Sequence, residues 1–135
     1  MHYLDTCVCI EFLRGRLRSG YREMRSMGCG EFALPSIVVA ELYYGAEHSA
    51  VPTRELRIVE QFVDAFEAIP FDASCAREYA RIRQELSACG RLIGDRDMMI
   101  AATAIANQAT LVTQNYDEFN RVSGLRLEVW KDIDF

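Results

Sequence analysis

The spacing of apolar residues along this chain switches repeatedly between short continuous runs and helical repeats. Tyr3-Leu4 within Met1 to Asp5, Phe32-Ala33-Leu34, Ala68 to Phe71, Thr110 to Thr113 and Leu125 to Trp130 are brief apolar stretches, which predicts five short strands, the first spanning Met1 to Asp5. Between them the apolar positions fall three and four apart: Ile10 with Leu13, Ile37 and Val38 with Leu42, Leu56-Val59-Phe62-Val63-Phe66, Cys75-Tyr79-Ile82-Leu86, and Met98 through Ala106. Boundary residues delimit these helices. Thr6 is a candidate cap for a first helix ending at Gly15, and an arginine-rich helix follows from Arg16 to Met27, stopped by Gly28 and Gly30. Ser36 is a candidate cap for Ile37 to Glu47, Pro52 opens the next helix, and Asp72 caps one that ends at Gly90. Gly94 breaks the chain again, Asp95 is a candidate cap and Asp97 falls in the first turn of the Met98 helix. Gln114 to Gly124 is predicted to be loop.

Strands that alternate with helices through short connections predict an α/β fold, with one parallel sheet between helix layers, over a single domain spanning 1–135. In open parallel sheets, ligands bind beyond the carboxyl ends of the strands. Asp5 and Asn115 each follow a strand end, so both belong on that edge.

Composition narrows the class. Half of the 135 residues are apolar, enough for one core, yet no run approaches the roughly 18 apolar residues of a membrane span. The start, Met1-His2-Tyr3-Leu4-Asp5, has no basic region followed by a cleavable apolar stretch, so the expected location is cytoplasmic. Five cysteines, with no CxxC pair and two histidines, predict free thiols rather than a zinc site or disulfide framework. A net charge of −5 opposes non-specific nucleic-acid binding, but Arg14, Arg16, Arg18, Arg22 and Arg25 form a local basic cluster. Arginine pairs with phosphate through two parallel donors, so this cluster and Arg96 are candidate phosphate ligands; a solvated helix face is the plainer alternative for the cluster.

The acids carry the chemistry. Asp97 alone reads as a carboxylate favoured by the helix dipole. Glu41 lies among Ile37, Val38, Leu42 and Tyr44, with Gly45 four residues on leaving bare backbone on its face. Asp5, Glu41 and Asp97 come from three elements that an α/β sheet brings to one edge. Carboxylates so gathered repel one another, and a cation offsets the repulsion. Oxygen donors without histidine or cysteine select a hard ion, Mg²⁺ or Mn²⁺, and such an ion suits phosphodiester hydrolysis.

Leu4-Asp5-Thr6, Ala40-Glu41-Leu42-Tyr43-Tyr44-Gly45, Ile93-Gly94-Asp95-Arg96-Asp97-Met98-Met99-Ile100-Ala101-Ala102, Leu111-Val112-Thr113-Gln114-Asn115 and the ending Phe119 to Trp130 occur in that order. In this order and spacing the chain resembles, nearly end to end, the PIN-domain ribonucleases, and among them the VapC-type toxins of bacterial toxin–antitoxin pairs. The resemblance implies a five-stranded parallel sheet with helices on both faces and a Mg²⁺ or Mn²⁺ site at its carboxyl edge. It places the family's acids on Asp5, Glu41 and Asp97, and a fourth position, acidic in many relatives, on Asn115. Asp95 is an additional acid that could partly compensate, and Thr6 and Thr113 are supporting residues that could orient carboxylates or water. Many relatives carry Asn where this chain has Cys7, so the resemblance transfers no polar role there. It further implies an RNA substrate, a VapB-like antitoxin and a homodimer. The implied activity is a metal-dependent endoribonuclease toxin, with a PIN nuclease of RNA maturation that has no antitoxin as the alternative.

A receiver-like phospho-signalling domain shares the α/β pattern and acidic edge. It requires an acid pair after the first strand, where this chain has Asp5-Thr6, and it leaves Glu41 and Asp97 unexplained even if Asp72 and Lys131 filled its other roles.

Overall fold

The computed structural model describes residues 1–130, except the side chains of Arg18, Ser19, Tyr21 and Cys29; Lys131 lies outside the described residues. Five strands, β1 (His2–Leu4), β2 (Phe32–Pro35), β3 (Glu67–Ile69), β4 (Thr110–Thr113) and β5 (Arg126–Val129), form one sheet in the order β3-β2-β1-β4-β5. Every pairing is parallel, with Tyr3 opposite Ala33 on one side and Leu111 on the other. The helices are α1 (Thr6–Leu13), α2 (Arg18–Met27), α3 (Ser36–Glu47), α4 (Pro52–Val63), α5 (Ala73–Ala88), α6 (Asp95–Ala106) and α7 (Tyr116–Phe119).

The strand order locates the site. The chain steps from β1 through β2 to β3 in one direction, then returns past β1 to β4 and β5. Right-handed crossovers put α1 to α4 on one face and α5 to α7 on the other, so the direction of winding reverses between β1 and β4. A crevice opens at the carboxyl end of such a reversal. Asp5 follows β1 and Thr113 ends β4, and both flank that crevice.

Burial follows the order. The central strands β2, β1 and β4 are buried almost throughout, whereas β3 and β5 at the edges are partly exposed. Leu4, Leu34, Leu111 and Val112 meet Val8, Val38, Ile82, Met98 and Ile100 from the helices in one core. Helix α6 is the most deeply set, with Met98, Ile100, Ala101, Ala102, Thr103 and Ala104 all buried. Its alanines let it approach the sheet closely, and the Thr103 hydroxyl donates to the Met99 carbonyl at 2.8 Å, which satisfies a polar group in the core.

Three caps differ from the sequence expectation, each by one residue. Asp5, not Thr6, caps α1, its Oδ1 accepting the Thr6 N–H at 2.8 Å. Pro35 precedes α3 with Ser36 already helical, and Gly94 rather than Asp95 is the residue before α6. Helix α2 starts at Arg18 instead of Arg16, because Leu17 takes the left-handed conformation (φ 58°) with its side chain fully buried. Gly20 then lets α2 lie against Trp130: a Cβ there would stand 2.6 Å from the indole ring. The stretch expected to be loop contains α7, whose Phe119 is fully buried. Cys7, Cys9, Cys75 and Cys89 are free thiols, although Cys89 is exposed rather than in the core.

Candidate functional site

Asp5 is the innermost acid, 4% exposed. Its Oδ1 caps α1, while its Oδ2 accepts the Thr113 hydroxyl at 2.7 Å and the Cys7 thiol at 3.2 Å. Thr113 is fixed in turn, its Oγ1 accepting the Asn115 backbone N–H at 2.9 Å. Desolvation pushes the Asp5 carboxyl up; the three donors pull it back down, and Glu41 adds to the rise. Burial and the neighbouring Asp5 push the Cys7 thiol up to about 12, so it stays protonated and able to donate. Cys7, to which the resemblance transfers no polar role, is therefore a hydrogen-bond partner of the central acid.

Glu41 reaches the same place from α3. Its Oε1 accepts the Thr6 hydroxyl at 2.7 Å and its Oε2 accepts Arg96 Nε at 2.9 Å. Asp97 comes from the first turn of α6, with Oδ2 turned back so that a Cβ at Gly94 would lie 3.6 Å from it. Its pKa is raised to about 6, first by desolvation and then by the charges of Asp5, Glu118 and Glu41. Like charge thus links four carboxylates, from the cap of α1 and from α3, α6 and α7.

Glu118 is the acid that sequence reasoning missed. It lies three residues beyond Asn115 in α7, immediately before the buried anchor Phe119, and its charge helps to raise Asp97. Glu118 therefore brings a further acid to the cluster, and the Asn115 backbone N–H donates to Thr113 Oγ1 at its edge.

The remaining expectations divide. Asp95 borders the pocket of about 360 Å³ that Glu41, Gly94, Arg96 and Asp97 also line. Its carboxylate is nevertheless turned to α5, accepting the Tyr79 hydroxyl at 3.0 Å and standing 3.6 Å from Arg83 Nη1. The charges that raise Asp97 most are instead those of Asp5, Glu118 and Glu41. Arg96 is the basic residue brought to the acids. Arg14 lies beside Glu41 on a second groove, Arg16 pairs with Glu11 at 3.4 Å, Arg22 is exposed and has an interaction of its own, and the Arg18 side chain lies outside the described residues. Helix α2 sits against Trp130, with Glu23 beside Glu128 and His2, so the cluster as a whole is not gathered on the acidic pocket.

These features define a class: a parallel α/β protein with a carboxylate-rich pocket at the reversal point of its sheet. The PIN domain pattern matches residues 2–125, and the chain belongs to the PIN-domain family. It is 39% identical to the tRNA(fMet)-specific endonuclease VapC of Shigella flexneri over 94% of this chain and 96% of that one. It is 37% identical to ribonuclease VapC2 of Rickettsia felis over 96% and 98% of the two chains. Among solved structures, a chain of VapBC from Salmonella typhimurium in its DNA-bound form superposes with a TM-score of 0.90 at 35% identity, covering 96% of this chain and 98% of that one. A chain of the Rickettsia felis VapBC2 complex bound to a promoter DNA fragment gives 0.89 at 36% identity, covering 97% and 100%. The chain is of the VapC kind within its family. No helix among the described residues is long and apolar enough to cross a membrane.

Proposed function

We propose that this protein is a Mg²⁺- or Mn²⁺-dependent endoribonuclease, the toxin of a type II toxin–antitoxin pair, and that Asp5, Glu41 and Asp97 form its catalytic and metal-binding set with Glu118 beside them. The observation that carries the reading is the coupling of these acids at the reversal point of the sheet, where Asp97 is raised to about 6 by its neighbours. Its relatives' names, ribonuclease and endonuclease, support the reaction class.

The donor set fits a hard ion. Among the described residues no three acids are gathered tightly enough to enclose an ion by themselves. Mg²⁺ does not require that, since it binds through one or two carboxylates and keeps several waters. Asp5 and Asp97 would hold it, with Glu41 at the rim. When bound, the ion would polarise a phosphoryl oxygen and make an attacking water more acidic. The protein's own part is orientation: Thr113, Cys7 and the Thr6 N–H hold Asp5 in one rotamer, and Thr6 steadies Glu41. Hydrolysis then breaks a P–O bond of the RNA backbone as water oxygen bonds to phosphorus.

A groove of about 420 Å³ between α1, α3 and α4 opens beside the site, with Ile10, Leu42, Ala46 and Val59 on its floor and Arg14, Glu41 and Glu55 lining it too. Glu41 belongs to both groove and acidic pocket. This continuity suits an amphipathic helix of a VapB-like antitoxin, seated in the groove and reaching the acids with a cation. We propose that the toxin is a homodimer acting on RNA in the cytoplasm.

The test is brief expression in a bacterial host with and without the antitoxin encoded beside it, followed by mapping of RNA 5′ ends. Discrete new ends and growth arrest, both suppressed by the antitoxin, are expected. Unchanged RNA in a growing host that holds soluble protein would refute the reading.

A further inference from the structure

Arg96 is committed in a way that a bound ion would disturb. Its Nε donates to Glu41 Oε2 at 2.9 Å, while the other carboxylate oxygen accepts the Thr6 hydroxyl at 2.7 Å. Both Glu41 oxygens are therefore occupied by the chain's own donors. The two partners differ in permanence. Thr6 is partly buried on the first turn of α1, whereas the Arg96 side chain is 72% exposed, and an ion pair so open to water exchanges readily. Arg96 also lines the acidic pocket between Asp95 and Asp97, and among the described residues its Nε is the nitrogen engaged with Glu41, so the terminal nitrogens can reach a second oxyanion.

We infer that Arg96 is an exchangeable counter-ion: it holds Glu41 Oε2 while the pocket lacks a divalent ion and RNA, and it moves to a non-bridging phosphate oxygen when RNA enters, releasing Glu41 towards the ion. The inference rests on the proposed metal-dependent RNA hydrolysis. It gives Arg96 two opposed effects, because the guanidinium competes with the cation at Glu41 and yet contributes to RNA binding. RNA and metal then assist each other through one side chain, each favouring the state in which Arg96 has left Glu41.

The experiment measures the two effects apart, with no turnover. Mn²⁺ is titrated calorimetrically into wild type and Arg96→Gln without RNA, and a mixed-sequence single-stranded oligoribonucleotide is titrated by fluorescence anisotropy in EDTA. Because Arg96 is exposed, the substitution leaves the core untouched. The variant is expected to bind Mn²⁺ several-fold more tightly and RNA several-fold more weakly, with a salt slope smaller by about 0.7, the value of one phosphate contact on a single strand. Arg96→Lys keeps the charge and loses the fork, and is expected to retain the wild-type salt slope at weaker affinity. Equal or weaker Mn²⁺ binding by Arg96→Gln, with wild type binding Mn²⁺ normally, would overturn the exchange alone. Failure of both proteins to bind Mn²⁺ would overturn the metal reading as well.

Discussion

Two residues apart in the first turn of α6, Asp95 and Asp97 face opposite surroundings. Asp97 turns inward to a crevice where its neighbours are Asp5, Glu118 and Glu41, and its pKa rises to about 6. Asp95 turns outward to α5, where a tyrosine hydroxyl and an arginine share its charge. The helix dipole acts on both alike, so position in the helix does not distinguish them. The partners do: one carboxylate is already neutralised by the protein, while the other adds a like charge to an acid cluster. A cluster kept in that condition costs stability, and binding a cation recovers it.

Substitution separates the two most sharply in activity. Asp97→Asn is expected to lower RNA cleavage more than about 100-fold, beyond the usual cost of losing a residue that only supports a metal ligand. Asp95→Asn, measured in the same assay, is expected to stay within about threefold of wild type, since an exposed pair of this kind is worth roughly 0–1 kcal/mol. Equal losses would remove the distinction between inward and outward acids.

The smaller effect concerns stability in the absence of metal. Asp97 titrates at about 6 in the folded protein, against about 3.9 for an unfolded aspartate. Between those values the folded state binds more protons, so wild type loses stability as pH rises through this window, and the loss is complete above about pH 6. Asp97→Asn lacks that titration. In EDTA its melting temperature relative to wild type is expected to climb between pH 4 and pH 7, by on the order of 3–5 °C once solvent screening of this half-buried carboxyl has reduced the effect to about 1 kcal/mol. A constant difference across the range, followed by thermal unfolding, would mean that Asp97 feels no repulsion from its neighbours.

Much of this was legible in the sequence, and the rest failed for definable reasons. Strands and long helices announce themselves through apolar period, and all five strands and six of the helices fall where the pattern puts them, within a few residues. Caps were displaced by one because the side chain of a capping residue is visible in the sequence, whereas the point where the backbone turns helical depends on how the preceding strand ends. At α1 the aspartate that follows β1 is itself the cap. The four-residue α7 is too short to show a period, and with it went Glu118. Residue identity also says nothing of direction: that the Asp95 carboxylate turns to Tyr79 and Arg83 depends on where α5 lies. The arginines of α2 were visible as a cluster, but Leu17 and Gly20, which fix where that helix lies, carry no charge.

The reaction proposed for the acid cluster at the reversal point of the sheet is hydrolysis of RNA with a divalent ion. Its most direct test is cleavage of single-stranded RNA by purified protein freed of antitoxin and stripped with EDTA, then given an excess of Mg²⁺ or Mn²⁺. The expected result is no cleavage in EDTA, full recovery on adding either ion, and no recovery in an Asp97→Asn variant prepared identically. Cleavage by wild type that proceeds equally in EDTA, or recovery that survives the loss of Asp97, would contradict it.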